Sequence, residues 1–155
     1  MEDDRMTQTD RIEREIHISA PLQRVWELIT NADHLGRWFG NAGADVELRP
    51  GGAFALHWAD AGSFHGRVET VEPPHRVAYR WLSKRGSRDE PTPANSTLME
   101  FTLATDGDGT RLAVVESGFD GLEVSADERT ALFADHTQGW PRELGELTEY
   151  ALGGR

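Results

Sequence analysis

Apolar positions recur with a period of two near the start of the chain, where Ile12, Ile16 and Ile18 share a face with Arg14 and predict a half-buried strand over Ile12 to Ile18. Ser19-Ala20-Pro21-Leu22 reads as a helix start, with Ser19 as N-cap and Pro21 inside the first turn of a short helix that runs to about Thr30. Asn31-Ala32-Asp33 opens a second short helix through Trp38, and Gly40 and Gly43 signal its end. From Ala44 to Ser117 the period falls back to two, and turn residues at Pro50-Gly51-Gly52, Asp60-Ala61-Gly62, Pro73-Pro74 and Asp106-Gly107-Asp108-Gly109 cut the segment into about six strands. Phe54, Leu56 and Trp58, then Val77, Tyr79 and Trp81, then Met99, Phe101 and Leu103, then Leu112 and Val114 form one apolar face. Their neighbours Ala78, Arg80, Glu100 and Thr102 are smaller or polar, as in an antiparallel sheet with one wet side.

The last segment changes period. From about Ala126 to Leu152, Phe133, His136, Trp140, Leu144, Leu147 and Ala151 fall on one narrow stripe of a helix, with Ser125 as N-cap and Asp127 and Glu128 in the first turn. The sheet's apolar face is the one large surface complementary to that stripe, so the helix is expected to lie across the concave side. Pro141 cannot donate to the carbonyl of Thr137, which predicts a kink or break beside Gly139. The pattern is thus α+β, read as one domain over 11–152 behind a flexible tail of residues 1–10.

Composition narrows the function classes. A chain of 155 residues suits one domain, and 37% hydrophobic with 28% charged residues is ordinary for a soluble fold. No stretch approaches the roughly 18 apolar residues of a spanning helix, and Met1 to Arg11 does not read as a signal, so a cytoplasmic location is expected. The absence of cysteine removes disulfides and thiolate chemistry. A formal charge of -11 disfavours nucleic acid and anionic membrane surfaces as partners. The basic run Lys84, Arg85 and Arg88 lies among Gly86, Asp89, Glu90, Pro91 and Pro93 and reads as a solvated loop.

Six segments carry a resemblance: Ile16 to Trp26 (IHISAPLQRVW), Leu35 to Phe39 (LGRWF), Pro50 to Phe54 (PGGAF), Gly66 to Trp81 (GRVETVEPPHRVAYRW), Gly109 to Phe119 (GTRLAVVESGF) and Gly139 to Leu147 (GWPRELGEL). In their order and spacing the chain resembles the homologues of the activator of the heat-shock-protein ATPase, within the START-like, birch-allergen-like helix-grip (SRPBCC) superfamily. The resemblance implies a curved, seven-stranded antiparallel sheet gripping the C-terminal helix, two short helices after the first strand, and a cavity between sheet and helix. It also leaves open several functions: ligand binding, cyclisation, homodimerisation or stimulation of a chaperone ATPase. The activator that gives the family its name engages its chaperone through an additional domain, which 155 residues do not accommodate.

On this reading Trp26, Trp38, Trp58, Trp81 and Trp140 converge on the cavity or fill the core beside it, and Trp38 stands at the mouth because the short helices form one wall in this superfamily. The ligand contacts expected are Trp38, Phe39, Trp58, Tyr79, Trp81, Met99, Phe101, Phe133, His136 and Trp140, with a small apolar or aromatic molecule as partner and no cofactor. His136 shares the inward stripe with Phe133 and Trp140, and the alternation Leu112, Val114, Glu116 aims Glu116 toward the same side. Such a pair orients a ligand hydroxyl or carbonyl, does general acid and base work in a cyclase or hydrolase, or is structural, with Glu116 at a wet rim as a further possibility. His57 and His65 flank the Asp60-Ala61-Gly62 turn, where two imidazoles and a carboxylate could hold zinc, yet His57 is out of phase with Leu56 and Trp58 and points outward; no metal is expected. Asp106-Gly107-Asp108-Gly109 opens like a calcium loop but lacks the downstream Glu and reads as a hairpin turn. No nucleophile elbow, phosphate loop or dinucleotide fingerprint is present.

Overall fold

The structure, a computed structural model, describes residues 10–153; the tail expected over residues 1–10 lies outside them except for Asp10. Seven strands, β1 (Arg11–Ile18), β2 (Ala44–Val46), β3 (Ala53–Trp58), β4 (Gly62–Glu72), β5 (Arg76–Leu82), β6 (Ser96–Asp106) and β7 (Gly109–Ser117), form one antiparallel sheet in the order β1-β7-β6-β5-β4-β3-β2. Helices α1 (Leu22–Thr30) and α2 (Ala32–Trp38) follow the first strand, and a 3-10 turn at Phe119–Gly121 leads into α3 (Ala126–Gly153). This is the helix-grip architecture. Consecutive hairpins build β2 to β7, and β1 crosses to pair with β7, so that Ile12 faces Glu116 and Ile16 faces Leu112 in register. No helix among the described residues is long and apolar enough to cross a membrane.

Alternation sets what the sheet buries. Phe54, Leu56, Val77, Tyr79, Met99, Phe101, Leu112 and Val114 are all buried, whereas Glu100 pairs with Arg76 on the wet side at 2.6 Å. Gly66 is required where β4 meets β5, since a Cβ there would stand 1.9 Å from the Arg80 carbonyl oxygen. The stripe on α3 docks as its phase demands, with Trp140, Leu144, Leu147 and Ala151 buried and Phe133 and His136 half-buried. Ser125 caps it: its hydroxyl accepts from the Glu128 amide at 3.1 Å and donates to the Glu128 carboxylate at 3.5 Å.

Two local expectations are corrected. Ser19 does not cap α1; Pro21 occupies the N-cap with extended backbone and offers no side-chain bond, because a proline already has the φ that a helix entry needs and lacks the amide that would otherwise want a partner. Nor does Pro141 end α3, which runs through it without interruption. The Thr137 carbonyl that Pro141 cannot reach accepts instead from the Arg14 guanidinium on β1 at 3.4 Å, while the Thr137 hydroxyl donates to the Phe133 carbonyl at 2.6 Å. A cation from the sheet thus replaces the missing helical donor.

The C-terminal end of α1 is closed in a similar way. Asn31 ends α1 and starts α2, its side chain accepting from the Asp33 amide at 2.8 Å. The carbonyls of Leu28 and Ile29, left without helical donors, accept from the Trp38 indole and the Tyr79 phenol, each at 2.7 Å. These two bonds tie α1, α2 and β5 into one unit and fix where the end of α2 stands.

Candidate functional site

An open cleft of about 630 Å³ lies at the end of the fold where α2 stops. One wall is the end of α2, from Arg37 through Phe39 to Asn41; the facing wall is α3 from Asp135 to Glu146; the β3–β4 hairpin contributes Trp58, Asp60, Ala61 and Phe64, and β5 contributes Trp81. Arg85 reaches over from the loop after β5. Its aliphatic stem packs on Gly62, where a Cβ would meet Arg85 Cδ at 2.8 Å and where φ is +88°, so glycine suits both the turn and the contact.

The apolar lining is one connected set of rings. Phe39 stacks on Trp38 with centroids 5.0 Å apart and meets Trp58, Trp81 and Trp140 at 5.9, 5.7 and 5.4 Å. Phe64 stands edge-on to Trp58 at 5.8 Å and tilted against Trp81 at 5.9 Å. Trp38 and Phe39 are almost fully buried, but Trp58 and Phe64 keep part of their surface open, so the cleft has flat aromatic walls that no other element among the described residues covers.

Below the cleft floor sits Glu116, completely buried on β7. Its Oε2 accepts from the Trp81 indole at 3.0 Å and the Thr97 hydroxyl at 2.6 Å, its Oε1 accepts from the Trp140 indole at 2.8 Å, and His136 Nδ1 lies 2.9 Å from both oxygens. Burial pushes the carboxyl upward, but the His136 charge and the bonds from His136, Thr97 and Trp140 outweigh it and hold Glu116 below the usual carboxylate range. Burial pushes His136 down, and the charge and hydrogen bond of Glu116, with Asp135 adding to them, turn the net shift upward. The two form a buried ion pair. The imidazole ring lies 5.7 Å from Trp81 and 5.6 Å from Phe119, which fixes its plane; His136 lines the cleft, and its Nε2 has no hydrogen-bond partner among the described residues.

Of the residues singled out in the sequence, Trp38, Phe39, Trp58, Trp81, His136 and Trp140 line the cleft. Tyr79, Met99, Phe101 and Phe133 are not among the residues that line it. Tyr79, Met99 and Phe101 are completely buried in the core, where Tyr79 stacks on Phe54 at 4.3 Å, and Phe133 stands edge-on to Phe119 at 5.2 Å. Glu116 is likewise not at a wet rim; the indoles close over it. Trp26 is buried in α1 and stays out of the cleft. His57 Nε2 donates to the Asp45 carboxylate at 3.0 Å and its Nδ1 lies 2.6 Å from the Ser63 hydroxyl; the ring lies diagonally across the hairpin from His65 because the register opposes His57 to Ser63. Among the described residues no cluster of three metal-ligating side chains forms.

Most of the remaining lining residues were not predicted, Phe64, Arg85 and Glu143 among them. Arg85 belongs to the basic run read as a solvated loop, and the structure turns it over the mouth. Phe64 was detectable, since Gly66 and Val68 continue its phase and it pairs with Leu56 across the hairpin. Glu143, on the turn of α3 after Trp140, is pushed up to about 7 by burial, with Arg142 opposing and Glu146 adding.

No functionally curated protein matches the chain. Among solved structures, it is similar to DynU16, from the dynemicin biosynthetic locus, with a TM-score of 0.73 and 24% identity over 94% of this chain. The chain spans about half of DynU16, 48% of its length. It is similar to MLL2253 from Mesorhizobium loti, with a TM-score of 0.73 and 24% identity over 92% of this chain and 96% of that one. The Aha1 dimer from Colwellia psychrerythraea gives a TM-score of 0.69 and 19% identity over 90% of this chain and 93% of that one. At these identities the likenesses establish the fold. A family profile, activator of Hsp90 ATPase homolog 1-like protein, matches residues 19–151, and with that much of its length accounted for, the chain belongs to this family.

Proposed function

We propose that the protein binds a small apolar or aromatic molecule in the cleft between the end of α2, the β3–β4 hairpin and α3. The observation that carries this reading is the cleft itself: about 630 Å³, within the roughly 300–1,000 Å³ of small-molecule pockets, with half-open aromatic walls at Trp58 and Phe64 and charged side chains such as Arg37, Arg85, Arg142 and Glu143 around them. Aromatic surface left uncovered in one concave place is costly in water, and a flat ligand removes that cost. Native mass spectrometry of the purified protein and tryptophan fluorescence titration with a panel of aromatic probes test it. Saturable quenching in wild type that disappears in Gly139→Leu supports the reading. Gly139 lines the cleft, and a Cβ there meets only Arg142 at 3.7 Å, so the leucine fills the ligand's space without disturbing the fold. Absence of quenching with every probe sinks it.

An enzymatic reading, of the cyclase or hydrolase kind, draws on the ionised His136 at the cleft; Glu116, sealed under the indoles, acts in it only through His136. A partner reading draws on the family and on the similarity to the Aha1 dimer and to an HSP90 activator from Plasmodium falciparum. Light scattering for the oligomeric state and a chaperone ATPase assay separate it from ligand carriage.

A further inference from the structure

We propose that the cleft selects aromatic molecules bearing a carbonyl-type oxygen, and that His136 Nε2–H is the donor that holds this oxygen. The proposal rests on the small-molecule reading above and narrows it to a chemical class.

The charge of the site is set at Glu116. Its carboxylate is completely buried, and the groups around it donate: two indoles that can do nothing else, and the Thr97 hydroxyl, which accepts from Trp81 at 3.0 Å while donating to Glu116. Such a site is built for an anion. A buried anion needs a counter-charge, and among the described residues His136 is the one cationic side chain that touches it. The imidazole is therefore held with both nitrogens protonated. Its Nδ1–H serves Glu116, leaving Nε2–H without a partner among the described residues on a ring that lines the cleft. An imidazolium accepts no hydrogen bond, so a ligand group seated on it must be an acceptor: a ketone, quinone, amide or carboxylate oxygen. Packing against Trp81 and Phe119 presets the ring's direction, which lowers the ordering cost of that bond. Glu116 touches no ligand and is a positioning residue.

Fluorene and 9-fluorenone test this, because they share one tricyclic skeleton and differ by a methylene against a carbonyl. Calorimetric titration is expected to show wild type binding the ketone about tenfold more tightly, as a charge-assisted hydrogen bond implies. The bound ketone's carbonyl stretch is expected at lower wavenumber than in an apolar solvent. H136L alone strips a buried carboxylate of its partner and risks the fold, so E116Q/H136L, which removes both charges, is measured beside it. The double variant is expected to bind the two probes alike. E116Q alone is expected to keep fluorene binding, lose part of the ketone preference and relax the stretch. Equal wild-type affinity for the two probes with an unshifted stretch overturns the acceptor proposal and leaves small-molecule binding standing. A ketone preference that survives in E116Q/H136L overturns the assignment to His136. Failure of both probes together with the wider aromatic panel removes the reading underneath as well.

Discussion

In the interior, Phe54, Tyr79, Met99 and Phe101 are completely buried, the Tyr79 phenol is satisfied by the end of α1, and burial drives its ionisation well above the ordinary range. At the cleft, Trp58, Phe64, Trp81 and Trp140 come from the same strands and helix stripe, yet their rings border open space. The difference is coverage. Where α1 and its capped carbonyls close over the sheet, aromatic rings become core; beyond the last residue of α2, no element among the described residues fully covers Trp58 and Phe64. The polar groups follow a similar division: the Tyr79 phenol in the core stays neutral and paired, whereas His136 and Glu143, which border the cleft, both have their pKa raised.

Mutations can break or sharpen that contrast. Phe101→Ala is expected to cost about 3–5 kcal/mol, measured by the denaturant midpoint, since it opens a void in packed core. Trp58→Ala, larger on paper, should cost less than about 2 kcal/mol because part of its surface is already in water, while weakening aromatic probe binding more than Phe101→Ala does. The reverse order would erase the distinction between core and cleft. Next, His136→Leu is expected to destabilise by about 3 kcal/mol through the orphaned Glu116, and E116Q/H136L to recover most of that loss. The pair's contribution depends on pH with a definite sign. Glu116, depressed from 4.5, contributes above that value and loses its contribution as pH falls through the folded-state value; His136, raised from 6.5, contributes below that value and loses it as pH rises through its folded-state value. The stability gap between wild type and E116Q/H136L should therefore be widest between about 4.5 and 6.5 and narrow on both sides, and a flat profile would deny the ion pair.

Smaller effects probe the cleft wall. Gly139→Leu should raise stability by up to about 1 kcal/mol, as a leucine replaces a mid-helix glycine, and abolish probe binding; a loss of both would mean the site is core. Glu143→Gln is expected to give the least change. Because Glu143 keeps its proton up to about 7 in the fold but only to 4.5 when unfolded, wild type should lose stability relative to the variant as pH rises between those values, then run parallel to it.

The sequence carried the faces but not the coverage. A period of two tells which side of a strand is apolar, and a period of 3.6 tells which stripe of α3 docks, so the meander, the Ser125 cap and the meeting of His136 with Glu116 were legible. Neither period tells how far along a strand the helices reach. Tyr79, Met99 and Phe101 share the apolar face with the cleft residues but lie in the core, while Arg85, exposed on its loop as expected, also reaches back over Gly62 to the cleft. The break expected at Pro141 does not occur for a related reason: local rules count helical donors, and Arg14, distant in sequence, supplied one from the sheet.

Two indole N–H groups on one hidden carboxylate have a practical consequence. Trp81 and Trp140 are wired to the same charge that governs His136, so any guest that tugs on that imidazole also perturbs two chromophores directly. The molecule carries its own gauge: side-chain nitrogen resonances and emission from these two positions should register occupancy before any label is attached.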